Sequence, residues 1–194
     1  MEHWLFYIRA RLLEALGRAQ ESIDTYQAAL RVKPDFHRCS NRIAYILAGL
    51  ERYAEAEPYF HAALRADPDN AATHFNLGYA CGKRGQHAKA VEAFREAIRL
   101  NPGIDRAWYG MGLAHAALGQ HEDAAKALHE AAKLQPMNPH AWYQLGMAYQ
   151  VLHKPEKVEG VVMHMLRFDP RMTRRLILDA GRSDLAHLVK HLVD

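Results

Sequence analysis

Large apolar, small and polar residues follow one another in a fixed order along this chain. Between Ala71 and Pro102 the order is plainest: Leu77-Gly78, then Gly85, then Ala90, Phe94 and Ala97, then Pro102. The apolar and small positions fall at helical spacing on both sides of Gly85, and Pro102 stops the pattern. The stretch predicts two helices joined by a tight turn, a hairpin of about 34 residues.

The hairpin is a repeat. Pro34, Pro68, Pro102, Pro136 and Pro170 are 34 residues apart. The first helix carries a small residue at Ala10, Ala44, Gly78, Gly112 and Gly146. The second carries one at Ala29, Ala63, Ala97 and Ala131, with Met165 as the exception. Between them sits a plug: Tyr26, Phe60, Phe94, Leu128 and Val162. The register runs from His3 to Pro170 without insertion or deletion, so the expected repeats are 3–36, 37–70, 71–104, 105–138 and 139–172. They form a single domain of all-α class, growing along an axis and closed by C-terminal capping helices over 173–194.

Each repeat has its own departures. The first is expected as Glu2 to about Leu16, a turn at Gly17, then about Ala19 to Val32. In it Arg9 replaces the apolar residue found at Ile43, Leu77, Met111 and Leu145, while Trp4 to Ile8 is apolar all round. A charge there fits a helix with nothing packed on that side, and the apolar run offers a self-associating face. In the second repeat Glu51 replaces the turn glycine, and Pro58 predicts a local kink. Pro155 fits the first turn of a helix in the fifth. After Pro170, Met172–Asp179 reads as a short helix, Ala180-Gly181 as a turn and Ser183 as an N-cap. Leu185, Leu188, Val189 and Leu192 then form one stripe, with His187, Lys190 and His191 on the other face.

Trp142, Leu145, Gly146 and Tyr149 spell W-x2-L-G-x2-Y; Trp108, Met111 and Gly112 repeat most of it, with His115 for the tyrosine; Ala90, Phe94, Ala97 and Pro102 give A-x3-F, A and P. On these residues the chain resembles the tetratricopeptide repeat (TPR) proteins over about 170 residues. The resemblance implies a right-handed α-solenoid of antiparallel helix pairs that binds other proteins and has no chemistry of its own. Fold alone does not fix the partner.

Composition narrows the reading. Net charge is +3, from 25 basic and 22 acidic residues, without long runs. That is well short of a nucleic-acid tail. Cys39 and Cys81 lie more than one repeat apart and read as free, buried thiols of a reducing, cytoplasmic protein. The run Trp4–Ile8 is too short to span a bilayer and lacks the features of a signal peptide. No phosphate loop, zinc-type cysteine spacing or nucleophile elbow is present, so the chain reads as a non-enzyme without metal or cofactor.

In the family that the chain resembles, the first helices line an inner groove through positions 2, 5, 6, 9, 12 and 13 of each repeat. The matching positions here include Arg11, Arg38, Asn41, Arg42, Tyr45, Phe75, Asn76, Tyr79, Lys83, Arg106, Tyr109, His140, Tyr143 and Gln144. Glu14 is the one acid among them. Tyr7, Phe75, Tyr109 and Tyr143 share the fifth position and are expected to form a row of anchors. Such a groove suits an extended, acidic peptide segment of a partner. The family's clamp for chaperone tails is matched only at Asn76 and Arg106, and not at Asn41, Tyr45 and Gly110. Two alternatives stand beside this: single-stranded nucleic acid on the arginine–tyrosine pairs, which the small net charge disfavours, and a homo-oligomer through the N-terminal helix.

Overall fold

The structure, a computed structural model, describes residues 1–190; Leu192 of the expected stripe and His191 lie outside them. The chain forms two compact units that meet in sequence at Asn101/Pro102. The first contains α1 (Glu2–Ala15), α2 (Ala19–Val32), α3 (His37–Gly49), α4 (Tyr53–Ala66), α5 (Ala71–Lys83) and α6 (His87–Leu100). The second contains α7 (Asp105–Ala117), α8 (His121–Leu134), α9 (Pro139–Val151), α10 (Pro155–Met165), α11 (Pro170–Asp179) and a 3-10 helix, Ser183–Val189. Both are all-α solenoids of antiparallel helix pairs, as the period predicts.

The small-against-large arrangement explains why the helices pair. The Gly78 backbone lies so close to Phe94 that a Cβ there would sit 2.8 Å from the ring, and one on Gly112 would sit 2.6 Å from Leu128. The plugs Tyr26, Phe60, Phe94, Leu128 and Val162 are all buried. Ser22 on α2 adds a hydrogen bond from its hydroxyl to the Ala10 carbonyl at 2.8 Å.

The turns share one geometry. Each first helix ends with a residue in the left-handed region, Gly17, Glu51, Gly85, Gly119 or His153. The next amide then donates to a carbonyl five residues back, as Arg18 does to Leu13 and Gln86 to Cys81, both at 2.9 Å. This satisfies carbonyls the helix end would leave open. Glu51 and His153 adopt it without glycine's freedom, at φ 59° and 52°. The α4 helix continues unbroken through Pro58.

In the last three repeats the fourth position ties the first helix to the loop before it. The indole N–H groups of Trp108 and Trp142 donate to the Pro102 and Pro136 carbonyls, both at 2.9 Å. His74 meets the Pro68 carbonyl at 2.8 Å. The tryptophans of the repeat are therefore loop clamps.

The C-terminal part departs from the sequence reading. Pro170 keeps the 34-residue spacing but not the place of the other prolines. It is the first residue of α11, where the Asp169 carboxylate caps the Met172 amide at 2.8 Å. The helix therefore starts two residues before Met172, because proline's fixed φ suits a first turn. The α10 helix is 11 residues long where the other second helices have 14. Opposite Gly146 stands Leu176 of α11, at 2.8 Å from a Cβ on Gly146. The α11 turn repeats the first-helix geometry, with Gly181 left-handed and Arg182 donating to Ile177 at 2.9 Å. Ser183 is not an N-cap: its side chain caps nothing, and Arg182 before it binds Asp184 and the Pro155 carbonyl.

One ion cluster fastens the second repeat to the third. The Glu57 carboxylate on α4 meets Arg84 at the end of α5, Lys89 of α6 at 3.2 Å and His61 at 3.9 Å. Burial alone would push this carboxyl up; the Lys89 hydrogen bond and the charges of Lys89, Arg84 and His61 outweigh it and hold it below its usual range. A carboxyl that ionises more readily folded than unfolded stabilises fully above the unfolded value, and the gain fades as pH falls through the folded value. Glu57→Gln is expected to cost about 1–2 kcal/mol at pH 7. The gap to the parent should narrow when pH is lowered from 7 to about 3. Urea titrations at the two pH values check this; an equal gap at both would remove the cluster from the account.

Candidate peptide-binding face

In the first unit the first helices α1, α3 and α5 present one face. Arg42 of α3 reaches across to Glu14 of α1, which also accepts from the Tyr26 hydroxyl at 3.1 Å and lies 3.8 Å from Arg11. The single acid of the expected set thus accepts from Arg42 and Tyr26 and pairs with Arg11, and Arg42 is already matched. The Arg42 guanidinium lies 5.4 Å from the Tyr45 ring centre, Lys83 lies 5.5 Å from Tyr79, and Arg38 lies 5.5 Å from Trp4. Among the described residues neither Arg38 nor Lys83 has an ion-pair partner.

A recess of about 360 Å³ opens beside Arg42. It is lined by Tyr7, Arg38, Asn41 and Arg42, as expected, and also by His37, Asp67 and Asn70. Sequence reasoning passed over Asp67 and Asn70 because they precede a first helix. Asn70 caps the Thr73 amide at 3.0 Å and donates to Asp67 at 3.0 Å. An Asx residue before a helical run signals such a cap, but not that its partner would line a recess.

The fifth-position rings, expected as a row of anchors, are half-buried. Tyr7 packs on Trp4, Tyr26 and Phe36, and Phe75 on Phe94. Tyr109 packs against the core of the second unit, where burial pushes its hydroxyl up. The open rings are at the ninth position, Tyr45 at 56% and Tyr79 at 44% exposure. A ring at the fifth position faces the crease between helices, which buries its area, while the ninth lies on the crest. Asn41 and Asn76 are half-buried.

In the second unit Arg106 and His140 are exposed and Gln144 is half-buried. The Tyr143 hydroxyl donates to Asp179 of α11 at 2.6 Å, and Arg175 of α11 lies 5.5 Å from its ring. The Asp179 hydrogen bond, with burial, raises the Tyr143 pKa. The α11 helix thus extends the first-helix face beyond α9, which the sequence reading did not include.

Recesses also lie where a first helix meets second helices. One in the first unit is lined by His61, Leu64, His74, Cys81 and Glu96, and one in the second by Trp108, His129, Tyr149 and Lys157. Both cysteines are free and buried; burial pushes the Cys39 thiol up to about 12 and raises that of Cys81. Among the described residues no group of His, Cys, Asp or Glu could hold a metal, and no helix is long and apolar enough to cross a membrane. His187 faces the Asp184 carbonyl at 2.9 Å.

Paired helices of this period, with left-handed turns and a small-against-large seam, define a tetratricopeptide-repeat array. The tetratricopeptide repeat family matches residues 5–36. The chain belongs to the family described as the Cilia and flagella-associated protein 70 middle TPR-like domain, which matches residues 49–168, well over half of it. No curated protein matches the sequence. Among solved structures the chain is similar to YrrB, described as a TPR protein with an unusual peptide-binding site, at 22% identity, covering 91% of this chain and 90% of that one with a TM-score of 0.81. It is similar to MamA at 18% identity, covering 95% and 96% with a TM-score of 0.79. It is also similar to PilF of Pseudomonas aeruginosa at 15% identity, covering 95% and 87% with a TM-score of 0.70. At these identities the likeness is one of fold.

Proposed function

We propose that this protein-interaction scaffold takes an extended, acidic segment of a partner along the first-helix face of its first unit. The observation that carries the reading is the pairing of open rings with cations there: Tyr45 with Arg42, Tyr79 with Lys83, and Arg38 beside the recess. Arg38 and Lys83 supply charge for carboxylates, and the two tyrosines supply rigid apolar area. Three helices about 10 Å apart match about seven residues of extended chain. A peptide-binding site on YrrB, which shares the fold, supports the reading at the level of architecture. Arg106, His140 and Gln144 are the second unit's candidates for further contacts.

The test uses two fluorescein-labelled peptides of about ten residues, one alternating Asp or Glu with apolar residues, the other with Lys in place of the acids. Fluorescence polarisation is expected to show binding of the acidic probe only. Arg38→Glu with Lys83→Glu should weaken it by about 10–100-fold at unchanged helicity. Equal binding of both probes, or an unchanged affinity in the charge-reversed protein, would sink the assignment.

A further inference from the structure

The α1 helix carries an apolar row on the side turned away from α2. Leu5, Ile8, Leu12 and Leu16 are exposed by 68%, 55%, 62% and 71%. In the following first helix the positions of Leu5, Arg9 and Leu12 hold Cys39, Ile43 and Ile46, exposed by 0%, 0% and 9%. The same three positions are buried in α5 (Thr73, Leu77, Ala80) and in α9 (Leu145 and its neighbours Ala141 and Ala148). In α9 the cover is visible: Ala141 packs on Ala131 and Ala132 of the preceding second helix. On α1 these positions have no second helix over them among the described residues. At the Leu5 position α1 also holds a larger side chain than the cysteine, threonine or alanine of the others.

We propose that this row is a dimer interface, occupied by α1 of a second copy of the chain in antiparallel pairing. Leu5, Arg9, Leu12 and, at the C-cap of α1, Leu16 are spaced 4, 3 and 4 residues apart, the seam of a two-helix coiled coil. The row offers roughly 450 Å² of apolar surface, and the apolar share of a standard interface is about that much per partner. Arg9 sets the direction. Parallel pairing would stack it on its own copy, two like charges in a drying interface. Antiparallel pairing puts Leu5 opposite the partner's Leu16 and Arg9 across the partner's Leu12. There the stem of Arg9 covers leucine while its guanidinium reaches water. Trp4, Ala15 and Arg11, also exposed, border the row. By helical spacing Leu5, Leu12 and Leu16 fall on the side of α1 opposite Glu14, which is held by Arg42 and Tyr26.

Sedimentation velocity on the full chain from about 1 to 100 µM is expected to show a monomer–dimer equilibrium. Leu5→Glu with Leu12→Glu should raise the dissociation constant by at least about 100-fold while circular dichroism stays helical. Direction is read by oxidative cross-linking. Leu5→Cys with Leu16→Cys should give a covalent dimer, whereas Leu5→Cys alone should not, because the two copies of that residue lie about 16 Å apart along antiparallel helices. A parent protein that stays monomeric throughout, a dimer that survives both glutamates, or cross-linking through Leu5→Cys alone would each overturn the proposal.

Discussion

Phe94→Ala is expected to cost the first unit about 3–5 kcal/mol, the range for a fully buried ring removed from a packed seam. Phe94 is the plug between α5 and α6, it touches Phe75, and it fills the space over Gly78. The companion substitution makes the claim sharper. Gly78→Ala would set a methyl 2.8 Å and 2.9 Å from Phe94 ring carbons, closer than carbon atoms sit in proteins. The ring would have to move, at about 1–3 kcal/mol, against a helix-propensity gain of about 1 kcal/mol. Gly78→Ala is therefore expected to destabilise the parent and to stabilise the Phe94→Ala protein, where the methyl meets empty space. Urea unfolding of the two single variants and the double variant gives both signs. A Gly78→Ala effect of the same sign in both backgrounds would show that the two residues do not share the seam.

Leu176→Ala is the second large effect, about 2–5 kcal/mol in the second unit. Leu176 is fully buried, stands over Gly146 of α9 and belongs to the cluster with Leu145, Val162 and Met165. Leu178, two residues on, is 67% exposed, and its replacement by alanine should stay within about 0.5 kcal/mol. The contrast separates two pictures of α11. A loosely laid cover would lose little from either change. A helix that completes the core loses heavily from one and not the other. Thermal melts of the two variants decide, and a Leu176→Ala cost below about 1 kcal/mol would return α11 to the status of a cover.

Peptide capture and pairing through α1 use different faces of one unit, so each can fail alone. Charge reversal at Arg38 and Lys83 should leave sedimentation unchanged. Glutamates at Leu5 and Leu12 should leave peptide affinity unchanged at concentrations where the parent is monomeric.

The sequence by itself determined the helix pairs, their period, the small-against-large seam and the burial of both cysteines. These follow from spacing alone, because a residue's face on a helix is fixed by its number within the turn. It also placed the turns between the helices of each pair, whereas the left-handed backbone of Glu51 and His153, without glycine, was visible only in the structure. Only the tertiary structure decided which groove side chains are open. Tyr143 and Tyr79 both fall at expected groove positions; one is bound by Asp179 from a helix 36 residues away, and the other keeps its ring exposed. Glu14 and Arg42, 28 residues apart, neutralise each other for the same reason. Such pairings depend on which helices lie side by side and how far each side chain reaches, and neither quantity is written in the periodicity of a single strand of sequence.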